Sequence, residues 1–144
     1  MENRYRPRRT CLSVPGSSPK MIQKAKTLPA DQVFLDLEDA VAPDAKSQAR
    51  AQVAAALAED GWAGQLRGVR VNDWTTPWTH ADVIEVVARA GASVDVVVLP
   101  KVTEAAHVRA LDLLLGQLEA THGLPVGRIG IEAQIEDARG LTNI

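Results

Sequence analysis

At 144 residues, with 46% hydrophobic and 3% aromatic side chains, the chain is long enough for one domain, whose core must come from Val, Leu, Ile and Ala. A formal net charge of -2 gives no global electrostatic case for binding nucleic acid, and no apolar run approaches the about 18–20 residues of a membrane span. The single cysteine, Cys11, cannot form an internal disulfide, and the basic N-terminus lacks the apolar segment of a secretory signal, so the cytoplasm is the expected compartment.

Residues 1–9 carry Arg4, Arg6, Arg8 and Arg9 and read as a solvated, partly disordered basic arm, unless Arg9 meets an anionic ligand beside the first strand. Residues 10–144 read as the folded domain. Thr10 to Val14 is a short strand, in which Cys11 reads as a packed thiol. Ser18 and Pro19 then supply an N-cap and a first helical residue, followed by Met21, Ile22, Ala25 and Leu28 at helical spacing.

Gln32 to Leu37 is a second strand whose continuous apolar run, Val33 to Leu35, requires cover on both faces. Asp44 is placed to cap a helix running to Asp60, with Ala45, Ala49, Val53, Ala56 and Leu57 inward. Gly68 to Asn72 is a third strand, with Arg70 and Asn72 on one face. Thr76-Pro77 opens a third helix lined by Val83, Val86, Val87 and Ala90 and ended by Gly91. Val94 to Leu99 is a fourth strand, and Glu104 to about His122 a fourth helix with Val108, Leu111, Leu115 and Leu118 inward. Arg128 to Ile135 is a fifth strand that runs into the start of a fifth helix.

This alternation implies parallel strands with helical crossovers, in units of roughly 30 residues suited to a (β/α) barrel or a doubly wound sheet. No Gly-x-Gly-x-x-Gly follows the first strand, which counts against a dinucleotide-binding domain.

The chemistry-bearing residues fall at strand C-terminal ends: Glu38 and Asp39 after the second, Arg70 and Asn72 at the third, Lys101 after the fourth, and Glu132 and Gln134 in the fifth. In a parallel barrel those ends share one rim, where active sites are built. Each has a plainer reading: an acidic turn for Glu38 and Asp39, a salt bridge from Arg70 to Glu38 or Asp36, and a solvated loop residue for Lys101. On the fifth strand Glu132, Gln134 and Glu136 share a face, an arrangement that is costly unless they bind something or each other. His80, His107 and His122 show no metal spacing and read as surface residues. Carboxylates and an arginine on one rim suit Mg²⁺, which keeps few protein carboxylates and leaves places for substrate oxygens.

Leu35-Asp36-Leu37-Glu38-Asp39-Ala40-Val41, Val69-Arg70-Val71-Asn72, Val98-Leu99-Pro100-Lys101 and the stretch Gly130 to Ile144, in that order, resemble the HpcH/HpaI aldolase / citrate lyase β-subunit family, most of all its CoA-ester lyases. The resemblance implies a partial (β/α)8 TIM barrel, comprising the first five strands and four helices plus the start of a fifth. It implies Mg²⁺-dependent cleavage of a citryl-CoA or malyl-CoA type ester into acetyl-CoA and a 2-oxo acid, and a homo-oligomer when full length. By position, Glu132 matches the first Mg²⁺ ligand, Arg70 the substrate-carboxylate contact, Glu38 and Asp39 the acidic pair near the metal, and Arg9 and Lys20 basic groups near substrate or CoA. Ser13 stands where the family has an aromatic residue. The family's second metal ligand, an aspartate after a sixth strand, has no counterpart here, so the chain reads as the N-terminal portion of such a barrel. A pyruvate-class aldolase that uses no CoA, or a non-catalytic remnant, is the alternative reading.

Overall fold

The structure, a computed structural model, describes residues 6–144. Five parallel strands pair in the order β1-β2-β3-β4-β5: β1 Cys11–Pro15, β2 Gln32–Asp36, β3 Leu66–Arg70, β4 Val96–Leu99 and β5 Gly130–Ala133. Between them run α1 Pro19–Ala25, α2 Lys46–Ala58, α3 Thr79–Ala90 and α4 Ala105–Thr121, and α5 Ala138–Thr142 follows β5. A sheet whose spatial order equals its sequence order is the singly wound arrangement of a barrel, because a doubly wound sheet reverses direction. No helix among the described residues is long and apolar enough to cross a membrane.

The pairing register sorts the side chains. Val14, Val33, Leu35, Val69, Val97 and Leu99 fall on one parity, and each is at most 3% exposed beneath the helices. Ile22, Ala49, Val53, Leu57, Val83, Val87, Leu111 and Leu115 meet them from α1 to α4. Cys11, Gln32, Phe34, Asp36, Arg70, Val98 and Glu132 fall on the opposite parity, so every charged strand residue at issue belongs to the face turned from the helices. Gly16 lets the chain leave β1 directly over β2, since a Cβ there would lie 2.6 Å from the Asp36 carbonyl oxygen and 2.7 Å from Val53.

Several boundaries differ from the sequence reading, for local reasons. Asp44 caps nothing: it sits in the 3-10 turn Pro43–Ala45, and α2 starts at Lys46 without a side-chain cap. β3 begins two residues earlier than expected and ends at Arg70, so Asn72 lies beyond the alternation. α3 starts at Thr79 because Asp73 first closes a turn, accepting from Thr75 N through its carboxylate and from Thr76 Oγ1 through its carbonyl. β5 ends at Ala133, leaving Gln134 and Glu136 in the loop before α5, which Asp137 caps. Met21 is 49% exposed, so Ile22 and Ala25 alone carry the inward face of α1. Cys11 is exposed, not packed, because β1 is an edge strand and the residue lies on the face without helices. His107 is half-buried: its backbone carbonyl accepts from Trp74 Nε1 at 3.1 Å and its Nε2 lies 3.3 Å from Glu104.

The basic arm docks instead of trailing into solvent over the residues described; Arg4 lies outside them. Arg6 donates to the Gly64 carbonyl, Arg8 to Gln32 and Glu132, and Arg9 to Asp31. Asp31 also accepts from the backbone N–H groups of Arg9 and Thr10. The Arg9 guanidinium and these N–H groups lower the Asp31 carboxyl from 3.8 to about 2. A carboxyl lowered on folding stabilises the fold above its unfolded pKa. Acid titration of stability should therefore show a contribution that is complete above pH 3.8 and disappears as the pH falls through about 2. Asp31→Asn should remove that component from the titration; an unchanged acid profile would reject the clamp.

Candidate active site

The C-terminal ends of β2 and β3 converge on one carboxylate. Asp36 is fully buried, and its two oxygens accept four hydrogen bonds: Arg70 Nε at 2.8 Å, Arg70 Nη2 at 2.7 Å, Glu38 N at 2.9 Å and Ala40 N at 3.0 Å. Burial pushes this carboxyl up, but the bonds from Arg70 and the two backbone N–H groups outweigh it and leave the pKa below the ordinary value. The two-point contact fixes the plane of the Arg70 guanidinium. Nη1 is left to reach Gln134 Oε1, at a long 3.4 Å, and to face the rim. Asp36 in turn holds Arg70 above its usual pKa, and the guanidinium lies 5.6 Å from the Phe34 ring centroid.

Glu38 stands beside this pair. It is 4% exposed, and neither carboxylate oxygen has a well-formed hydrogen bond. Lys101 Nζ approaches Oε1 at 2.6 Å, and Arg70 Nε lies 3.5 Å from Oε2. Burial raises the Glu38 carboxyl above its ordinary pKa, and Lys101 and Arg70 only partly offset this. Asp39 is exposed at the same rim, 3.5 Å from Lys101 Nζ. Lys101 donates its backbone N–H to Glu136 Oε1 at 2.7 Å, and its ammonium pKa is raised, first by Glu38.

Behind the rim lies a buried polar network. Lys46 Nζ donates to the carbonyls of Leu37 (2.7 Å) and Glu38 (2.6 Å) and to Asn72 Oδ1 (2.7 Å). Burial lowers the Lys46 pKa, against the pull of Asp82 and Asp36. Asp82 accepts from Asn72 N, Asn72 Nδ2 and Arg50 Nε. Asn72, expected at the rim with Arg70, is therefore turned back onto α3. This network supports the loop that carries Glu38.

Arg70, Glu38, Asp39 and Lys101 thus come together, whereas Arg9 and Lys20 do not join them, and Glu132 shares the register row of Asp36 and Arg70 but bonds elsewhere. Arg9 precedes β1 and pairs with Asp31, at the opposite end of the strands. Lys20 is exposed on α1 and forms no ion pair among the described residues. Glu132 does lie on the inner face, but its Oε2 accepts from Arg8 Nη1 at 3.1 Å and Gln32 Nε2 at 3.0 Å, groups at and before the start of β2. Glu136, beyond β5, also meets the rim, by accepting from Lys101 N. Its signal in the sequence was the same alternation, carried four residues beyond Glu132. Asp36 as the holder of Arg70 was legible as one of two salt-bridge partners; Lys46 and Asp82, long-range partners from helices, had no local signal.

Among the described residues, no three of His, Cys, Asp and Glu converge as a metal-binding set. Mg²⁺ asks less of a protein, holding one or two carboxylates and filling the rest of its octahedron with water and substrate oxygens. The buried Glu38 carboxylate, which no backbone N–H holds and which faces the cations Lys101 and Arg70, fits that requirement.

Known proteins resemble this chain over nearly its whole length. The family model described as HpcH/HpaI aldolase/citrate lyase matches residues 9–144. An L-malyl-CoA/beta-methylmalyl-CoA lyase of Cereibacter sphaeroides is 38% identical over 139 residues, which are 96% of this chain and 43% of that protein. The citrate lyase subunit beta of Leuconostoc mesenteroides subsp. cremoris is 39% identical over 141 residues, 98% of this chain and 46% of that protein. The solved citrate lyase beta subunit of M. tuberculosis, complexed with oxaloacetate and magnesium, superposes with a TM-score of 0.67 at 29% identity, covering 92% of this chain and 49% of that one. The chain spans less than half the length of these curated relatives.

Proposed function

The chain belongs to the HpcH/HpaI aldolase/citrate lyase family, and from that premise we propose that it carries part of the active site of a Mg²⁺-dependent carbon–carbon lyase. The substrate is a 3-hydroxyacyl-CoA ester of the citryl-CoA or malyl-CoA type, and the products are acetyl-CoA and a 2-oxo acid. The observation that carries this reading is the Arg70 guanidinium, locked by Asp36 with Nη1 turned to the rim, beside the buried Glu38 carboxylate.

Arg70 binds the carboxylate of the part that leaves as 2-oxo acid, since a planar fork fixed on one side presents its remaining N–H groups in a set direction. Asp36 keeps that direction by holding Nε and Nη2. Glu38 and Glu136 supply the oxygen ligands for Mg²⁺. Glu136 is preferred to Glu132 because it meets Lys101 at the rim, whereas Glu132 is engaged by Arg8 and Gln32. The metal, when bound, supplies positive charge that polarises the oxygen on the carbon being released. Lys46 holds the Glu38 loop, so the carboxylate need not reorganise on binding.

The test is cleavage of citryl-CoA and malyl-CoA by the purified chain, with and without Mg²⁺. Cleavage that depends on Mg²⁺ supports the proposal; a folded chain that cleaves neither ester overturns it for this chain. The metal assignment has its own test. Glu136→Gln should weaken Mn²⁺ binding at least about tenfold, by the loss of one charged ligand, and Glu132→Gln should change it less than about twofold. The reverse ranking would return the ligand to Glu132.

A further inference from the structure

Gln134 meets Arg70 from just beyond β5. Its backbone is held against the end of β4: its N–H donates to the Leu99 carbonyl at 2.9 Å, and its carbonyl accepts from Val102 N at 3.0 Å. The half-buried side chain turns to the rim, where Oε1 accepts from Arg70 Nη1 at 3.4 Å. Hydrogen bonds of this kind run at about 2.7–3.2 Å, so this one is long. A carboxylate binds a guanidinium at about 2.7–2.9 Å and would outcompete it. Nor is the bond needed to aim Arg70, because Asp36 already fixes the guanidinium at two points. The Gln134 amide nitrogen has no acceptor among the described residues, so its N–H groups stand free beside Arg70 Nη1.

The charges around Gln134 limit what it can share with Arg70. Lys46 gives its ammonium to two carbonyls and Asn72, and Lys101 lies 2.6 Å from Glu38. Of these cations only Arg70 keeps a nitrogen, Nη1, that no carboxylate holds. One free cationic group suits one substrate carboxylate. A second substrate carboxylate would meet Asp39 and Glu136 at the same rim without a cation of its own among the described residues. We infer that Gln134 is a specificity-determining residue: its amide N–H and Arg70 Nη1 together bind a single carboxylate, and its neutrality selects a 2-oxo acid with one carboxylate over one with two. The inference rests on the lyase reading proposed above and deepens it by naming the residue that works beside Arg70 and the charge of the acid it admits.

The test is binding of pyruvate and of oxaloacetate, which differ by one carboxylate, to the purified chain in saturating Mg²⁺, read by isothermal titration calorimetry. The unmodified chain should bind pyruvate at least about fivefold more tightly than oxaloacetate; equal or reversed affinities overturn the inference. Gln134→Met keeps the length of the side chain without its donor and should weaken pyruvate binding at least about tenfold. A glutamine that only steadies Arg70 predicts a change below about twofold, because the two-point contact with Asp36 holds the guanidinium without it. That result, with pyruvate binding lost in Arg70→Lys, overturns the inference and leaves the lyase reading intact. Gln134→Lys should shift the ratio of the two affinities toward oxaloacetate at least about fivefold. Gln117→Lys, on the exposed side of α4, controls for a positive charge added elsewhere, and an equal shift there overturns the inference as a general charge effect. The side-chain amide resonance of Gln134 should move when pyruvate binds the unmodified chain, and an unmoved resonance likewise overturns the direct contact. A folded chain that binds neither acid overturns both readings.

Discussion

Asp82→Ala is expected to lower the melting temperature by about 10 °C. Asp82 is 1% exposed and accepts from Arg50 Nε at 2.7 Å, Asn72 N at 3.0 Å and Asn72 Nδ2 at 2.6 Å. Its removal leaves the Arg50 guanidinium, 10% exposed, facing only Glu85 at 3.8 Å, and strips two N–H donors of their acceptor. Breaking a buried ion pair by removing one partner costs about 3–5 kcal/mol, and in a domain of this size each kcal/mol moves the midpoint by about 2–4 °C. Glu85→Ala is the internal control. Its carboxylate is 42% exposed, so its loss should fall within about 1 kcal/mol. Thermal denaturation followed by circular dichroism measures both, and equal shifts would show that the network behind the rim is not the stabilising element. The same measurement bears on function, because Asn72 links Asp82 to Lys46 and Lys46 holds the Glu38 carbonyl.

Arg70→Lys should cost about 10²–10³-fold in kcat/KM for CoA-ester cleavage, in whichever form of the protein carries the activity proposed above. A lysine keeps the charge but has no fork, so it cannot hold both Asp36 oxygens and still present a donor to a substrate carboxylate. The loss should appear in kcat as well as KM, because a misdirected donor fails in the transition state as much as in the ground state. Asp36 would keep its bonds from Glu38 N and Ala40 N but lose the bidentate contact, so its carboxyl should titrate higher than in the unmodified protein. Steady-state kinetics beside a thermal melt separates the two effects. A loss below about threefold would remove Arg70 from the substrate site.

The sequence by itself determined the parallel α/β alternation, because Val33 to Leu35 and the run ending at Leu99 are too uniformly apolar for a strand with one wet face. It also placed Arg70, Glu38, Asp39 and Lys101 at strand C-terminal ends, because alternation and chain order are local properties. A local property fails where the alternation stops. β3 ends at Arg70, so Asn72 turns to α3 and not to the rim. β5 ends at Ala133, so parity put Glu132 and Glu136 on one face without saying which of them reaches the site. Nor did any local window show that Arg8, about a hundred and twenty residues away, donates to Glu132. Only the tertiary structure assigned the partners. Burial makes an unpaired charge costly, and which charge meets which depends on strand register and helix packing, which no window of neighbouring residues contains.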